Sequence, residues 1–252
     1  MTQPRIVFDI ETVLDQDAVS RAYKLTPGDA NAVKAVIGDE FPKLAFHKIV
    51  AIAATTLTYD GHSQTWSILE MAALHIGNQT EKELVGKFVD YVRRTTPALV
   101  GYNSLSFDLP VVRARAMLFR QGCWHMAHFN FRPYSEHHVD LCDLLAGRSR
   151  SRMTLDQAVR FFGIGSKTAG MDGSKVADLA DEGRFQEIAD YCLDDVVATA
   201  SLFLLHETFS GRLSENAFES VQHDLVNARE MTLREPPASF ITRNLKPLVD
   251  NS

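Results

Sequence analysis

Three short segments of this sequence place acidic side chains among apolar neighbours. Asp9 and Glu11 stand two apart in RIVFDIET, where Ile6, Val7, Phe8 and Ile10 make a β-branched, apolar run that predicts a buried strand. Strand alternation sends both carboxylates to one face and Ile10 to the other. Ionised groups in such a run are costly unless a cation or hydrogen bonds compensate them, so the pair could share a divalent cation. A solvated strand end would account for the same two acids. In GYNSLSFDLP (101–110) Asp108 falls between a predicted strand and a helix start. Helix capping by Asp, with Pro110 in the first turn, would explain it without any chemistry. Asn103 and Phe107 read equally as a turn residue and a core aromatic. In YCLDDVVATASLFL (191–204) Tyr191 and Asp195 are spaced i, i+4 and share a helix face, while Asp194 lies roughly 100° around and points elsewhere. A surface aspartate beside a half-buried tyrosine is the plain alternative.

Other chemistry-bearing residues have simpler readings. GRSRSR (147–152) alternates three arginines in a predicted loop, either a phosphate-tracking strip or a solvated basic loop. GIGSKTAG (163–170) lacks the spacing and the preceding strand of a phosphate-binding loop. His125, His128, His137 and His138 with Glu136 lack the HExxH arrangement and read as surface or core histidines rather than a zinc site. Asp140 and Asp143 are assigned to local hydrogen bonding, and Cys192 to packing against the sheet.

The elements that must position the acids follow from periodicity. A first strand spans 4–12. Residues 13–46 are polar and mixed, with weak helical stretches at 18–23 and 29–36, and read as an insertion. Strands at 47–59 and 64–69 flank Asp60-Gly61, a pair suited to a tight hairpin. Thr80 and Glu83 predict a capping box for a helix over 80–94. A buried strand at 98–102 precedes a helix over 109–121 ending at Gly122. Helices are expected at 139–145, 154–162 (ending at Gly163), 184–209 and 214–231, with a loosely held tail after Pro236-Pro237. Alternating strands and helices imply an α/β fold with a partly parallel sheet.

Composition bounds the class. The 252 residues are 45% hydrophobic and 23% charged, enough for a large core and inconsistent with disordered, collagen-like or fibrous chains. No apolar run approaches the roughly 18 residues of a membrane span, and charge arrives too early for a signal peptide. Cys123, Cys142 and Cys192 are odd in number and lack CxxC spacing, so a reducing cytoplasm and no membrane association are expected. A net charge of −6 argues against coating duplex nucleic acid through a basic face, but not against gripping a strand end through metal ions.

Together, FDIET, NSLSFD and YCLDD, in this order, resemble the three exonuclease motifs of the DEDD superfamily in its tyrosine-containing branch. The chain is most similar to stand-alone 3′–5′ exonucleases related to the proofreading domain of family B DNA polymerases. HKIVAIA, VDLCDLL and GMDGSKV add to the likeness, which runs from residue 4 to 209. The resemblance implies an RNase H-like fold, a mixed central sheet with helices on both faces. Residues 1–210 would form the exonuclease domain, with 13–46 inserted, and 211–252 a helical extension and tail. It further implies two Mg²⁺ or Mn²⁺ ions, whose +4 balances four carboxylates. Asp9, Glu11, Asp108 and Asp195 would ligate the ion that activates the attacking water, and Asp9, helped by Asp108 from the outer sphere, would hold the other. Tyr191 would orient that water. Backbone around Thr12 and the side chains of Leu14, Asn103 and Phe107 match substrate-gripping positions. Single-stranded DNA or frayed 3′ ends are the implied substrate, released as nucleoside monophosphates. RNA trimming remains an alternative; a silent nucleic-acid-binding module is disfavoured by the intact acids and Tyr191.

Overall fold

The computed structural model describes residues 3–127, 137–147, 149, 151–164 and 175–240. A five-stranded sheet forms its centre: β1 (Arg5–Leu14), β2 (His47–Asp60), β3 (Thr65–His75), β4 (Ala98–Gly101) and β5 (His138–Asp140), in the order β3-β2-β1-β4-β5. β1, β2 and β3 pair antiparallel, whereas β4 runs parallel to β1 and β5 parallel to β4.

Ten helices join the strands among the described residues: α1 (Gln16–Tyr23), α2 (Ala30–Ile37), α3 (Glu81–Thr95), α4 (Asp108–Leu118), α5 (Trp124–Ala127), α6 (Leu141–Ala146), α7 (Leu155–Phe162), α8 (Val176–Asp181), α9 (Phe185–Phe209) and α10 (Glu215–Arg234). The sheet buries both faces. Ile6, Phe8 and Ile10 pack with Leu84, Phe88, Val111 and Val112 of α3 and α4. Val7, Ala51 and Ala53 pack on the other side against Ile188, Cys192 and Val196 of α9. Alternation along β1 therefore turns Asp9 and Glu11 toward α9, as their spacing requires. None of the described helices is long and apolar enough to cross a membrane.

Local rules account for most boundaries. Thr80 and Glu83 form the capping box of α3, and Thr154 with Gln157 forms one on α7, which ends at Gly163 with φ +66°. Four differences from the sequence reading have physical causes. The hairpin loop has four residues, 61–64, because Asp60 accepts from the His62 N–H and the Ser63 hydroxyl and so organises a wider turn. Helix α4 stops at Leu118 and Arg120 takes the left-handed conformation, so Gly122 is not its end. Residues 138–140 are strand, paired with β4, before the helix begins at Leu141. The tail is held as far as Phe240, which is 1% exposed between Phe88 and Tyr91, while the Ala238 carbonyl accepts from Lys87.

A buried ionic cluster ties the segment between β1 and β2 to the core. Arg115 of α4, 3% exposed, donates to Asp15 Oδ2 at 2.7 Å and to Glu81 Oε1 at 2.6 Å, and also pairs with Glu81 Oε2. Asp15 caps α1 through the Ala18 N–H, and Glu81 Oε1 accepts from the Ile49 N–H of β2 at 2.8 Å. One guanidinium thus joins the end of β1, the starts of α1 and α3, and α4. Removing it would leave two carboxylates dry and unpaired. Arg115→Met is expected to destabilise the fold by about 3–5 kcal/mol in chemical denaturation. A loss below about 1 kcal/mol, typical of an exposed pair, would contradict this.

Candidate active site

The short β4 creates the site. It pairs with β1 only from Arg5 to Val7, and the chain then turns away at Gly101. A Cβ at Gly101 would lie 2.3 Å from the Ser104 hydroxyl, so only glycine permits this turn. Beyond Val7, β1 lacks a strand neighbour on that side, and Asp108 fills the gap with its carboxylate accepting from the Ile10 N–H. Asp108 is the first residue of α4; Phe107 occupies the cap position and makes no side-chain capping bond. Capping therefore does not explain Asp108.

From the other side α9 presents Tyr191, Cys192 and Asp195. Ligand-capable oxygens of Asp9, Glu11 and Asp195 all lie within 4.8 Å of one another, although the residues are up to 186 positions apart in sequence. Asp108 stands outside this tight triplet but faces it. Asp195 is 9% and Asp108 5% exposed. Burial, then the charges of Asp108, Glu11 and Asp195, raise Asp9 well above the ordinary carboxylate range. Asp108 is pushed up to about 7, mainly by burial and further by Asp140 and Asp195, against the two backbone N–H bonds it accepts. Such a cluster wants compensating positive charge. Its all-oxygen donor set suits hard cations such as Mg²⁺ or Mn²⁺, so the residues fit the metal ions the motifs imply.

Tyr191 shares a hydrogen bond with Asp195, and burial together with Asp195, Glu11 and Asp9 drives its phenol above the ordinary value. It stays protonated at neutral pH and can position a water, not deprotonate one. Beneath the cluster the Cys192 S–H, 3.3 Å from the Asp9 carbonyl and 3.5 Å from Asp9 Oδ2, steadies the central acid. Asp194 turns away, as its helical position requires, and pairs with Arg229 of α10.

The remaining sequence-selected residues line the rim unevenly. A bulge between Glu11 and Thr12 redirects β1, and Thr12 Oγ1 lies 2.9 Å from His47 Nδ1. Leu14 packs with Val19, Val33 and Phe46, away from the acids. Phe107 meets His47 edge-on at a centroid distance of 5.0 Å. Asn103 adopts φ +60° at the start of the turn into α4. Arg148 and Arg150 of the basic loop, His128, Glu136 and most of the 163–170 segment lie outside the described residues. His125 and His138 are taken up by the protein's own groups, the Pro97 carbonyl and the Ser104 hydroxyl.

Three residues escaped the sequence reading or were placed too modestly by it. Asp140 bonds locally, capping α6 through the Cys142 N–H, and does more: its carboxylate also accepts from the Asn103 and Leu105 N–H groups, both at 2.9 Å, and shapes the turn ahead of Asp108. His47, 6% exposed and held neutral by burial, also contacts the Pro42 carbonyl. Those partners assign Nε2 as donor and Nδ1 as acceptor. Phe41, 71% exposed, sits against both His47 and Phe107. An aromatic followed by proline just ahead of a strand was the available signal for it.

The likeness to solved structures identifies the architecture as an RNase H-like α/β fold. The family B DNA polymerase of the hyperthermophilic archaeon Pyrobaculum calidifontis superposes with a TM-score of 0.56 at 19% identity, over 92% of this chain and 28% of the polymerase. This chain thus spans little more than a quarter of that enzyme. E. coli exonuclease I in complex with a dT13 oligonucleotide gives 0.47 at 14% identity, over 84% of this chain and 42% of the other. Exonuclease I in complex with the inhibitor BCBP gives 0.49 at 13%, over 90% and 46%. No curated protein matches the sequence. Residues 39–242 match the family described as "Predicted 3'-5' exonuclease related to the exonuclease domain of PolB", and the chain belongs to that family. The match begins after Asp9 and Glu11, so the geometry alone brings those two acids to Asp195.

The charge balance sets a pH test. Asp9 and Asp108 have folded values above the roughly 3.9 of an unfolded aspartate. Their contribution to stability is therefore complete below about pH 4 and lost as pH rises through the folded values, about 7 for Asp108. Metal-free protein is expected to lose melting temperature from pH 5 to 8, and the gain on adding Mn²⁺ should grow over the same range. Thermal unfolding with chelator and with Mn²⁺ measures both. A Mn²⁺ effect independent of pH would contradict the reading.

Proposed function

We propose that this protein hydrolyses phosphodiester bonds at the 3′ ends of single-stranded DNA or frayed duplexes, one nucleotide at a time, with two divalent cations. The observation that carries the reading is the convergence of Asp9, Glu11 and Asp195 from β1 and α9, with Asp108 facing them from α4.

In this reading Asp9, Glu11 and Asp195 hold Mg²⁺ or Mn²⁺, and Asp108 closes the site from the β4 side. When bound, the cations supply charge compensation and acidify the attacking water. Tyr191 keeps its proton and orients that water through its hydroxyl, with Asp195 fixing the phenol's direction. Cys192 keeps Asp9 turned toward the cluster. Phe107, with Phe41 and His47 around it, gives the terminal bases an aromatic surface. Stacking there is worth roughly 1–3 kcal/mol per base and accepts any sequence, as trimming requires. Backbone at Thr12 and the Asn103 side chain take the sugar and phosphate, and Leu14 supports the loop from within its own cluster. We assign catalysis to residues 1–210, with 13–46 inserted and 211–252 an extension. The three free cysteines support a reducing, cytoplasmic setting.

RNA is the second reading, since nothing at the acids distinguishes the sugar. A 5′-labelled DNA strand and its RNA counterpart, digested with Mn²⁺, should give a stepwise ladder that is stronger on DNA and abolished by chelator. Asp9→Ala and Asp195→Ala are expected to lower kcat by at least roughly a thousandfold, and Tyr191→Phe by roughly ten- to a hundredfold with little change in KM. Binding of the strand without cleavage by the wild type would overturn the proposal.

A further inference from the structure

The basic loop before α7 carries one described arginine whose contacts differ from those of a phosphate-tracking side chain. Arg152 Nη1 donates to Asn103 Oδ1 at 2.8 Å, across 49 positions of sequence. Its Nη2 pairs with Asp143, which neutralises much of its charge within the protein. Asn103 is fixed from every other side. Its φ is +60°, its N–H is held by Asp140 Oδ1, and its carbonyl accepts from the Ser106 and Phe107 N–H groups at 3.1 and 3.2 Å. The turn is rigid because Asp140 also takes the Leu105 N–H, while the Tyr102 hydroxyl donates to the Met153 carbonyl next to Arg152.

We propose that Arg152 is a positioning residue for the substrate strand, acting through Asn103. A guanidinium has donors only, so the amide atom facing it must be the oxygen. That choice sends the Asn103 NH₂ the other way, and among the described residues no hydrogen bond takes it up. The amide is therefore presented as a donor, five residues ahead of Asp108 and four ahead of Phe107. Its partner is an acceptor oxygen of the sugar–phosphate backbone, a group every strand shares and one that an all-acidic cluster cannot itself greet. Without Arg152 the amide is free to flip, and half of its orientations would present a carbonyl to a phosphate. This deepens the exonuclease reading and rests on it. The loop's arginine sets the polarity of a contact and does not supply a bulk positive field.

A double-mutant cycle tests this on the full chain, with KM and kcat read from a labelled single strand in Mn²⁺. Dissociation constants are read in parallel, by anisotropy, with Ca²⁺ in place of Mn²⁺. Asn103→Ala is expected to weaken KM and Kd roughly tenfold, and Arg152→Ala several-fold, with kcat little changed. The double variant should be no worse than Asn103→Ala alone, and Arg152→Lys should recover part of the loss. Asn103→Asp, which keeps the Arg152 bond but loses the donor, should be at least as defective as Asn103→Ala. A methylphosphonate at the terminal linkage should erase the Asn103 effect if a phosphate oxygen is the acceptor, and leave it intact if a sugar oxygen is; an abasic terminus should leave it intact in either case. Single effects that multiply in the double variant, or an Asn103→Asp protein that binds like wild type, would overturn the proposal. So would loss of the Asn103 effect on the abasic strand. A wild type that binds the strand but never shortens it sinks the exonuclease reading instead, while the Kd cycle still tests Arg152.

Discussion

Like charges gathered in a partly dry cleft repel one another, and much of this fold is arranged to hold four of them together. Asp9 and Asp108 titrate far above ordinary carboxylates because each meets desolvation and neighbouring acids at once. That strain is borne by the fold until cations arrive. The supports are backbone N–H groups on Asp108, a thiol on Asp9 and a phenol on Asp195, all donors and none charged. A lysine or arginine in their place would neutralise the cluster permanently and compete with the metals.

Holding the acids also requires that their backbones not drift. β1 carries two of them and is paired on one side along its whole length, but on the other only as far as Val7. The free edge makes room for α4 to bring in Asp108, and the Arg115 cluster anchors α4 to the end of β1. The placement of the acids is thus tied to stability through one buried guanidinium, whose hydrogen bonds go to Asp15 and Glu81. The same logic recurs at the rim, where Asp140 ties the turn before Asp108 to β5 and Arg152 ties Asn103 to the loop before α7.

The sites on the rim differ in kind from the acids below them. Phe41, His47 and Phe107 come from three separate segments and, in the proposed function, would offer a sequence-tolerant surface. Asn103 offers a single directed donor. The strand trimming proposed for this protein would need both: area to bind any base, and polarity to register the backbone against the cluster.

From the residues alone, the alternation around Asp9 and Glu11, the i, i+4 spacing of Tyr191 and Asp195, the capping box at Thr80, the end of the 154–162 helix at Gly163 and the three-motif order were all legible. Each depends on contacts within a few residues or on a pattern carried by one segment. What tertiary structure decided is what those patterns face. Asp108 had an adequate explanation as a helix cap until the Ile10 N–H, left without a strand partner, appeared beside it, and Asp140, besides its local cap on α6, also takes N–H groups 35 and 37 residues away. Arg115 and Phe41 carry no motif and His47 opens the HKIVAIA segment with no role marked for it, since an arginine in a helix or an aromatic in a polar stretch is ordinary in sequence. Their roles arise only when a fold desolvates the one and brings the others to the rim of the acids, and desolvation and long-range proximity are not written in any local window.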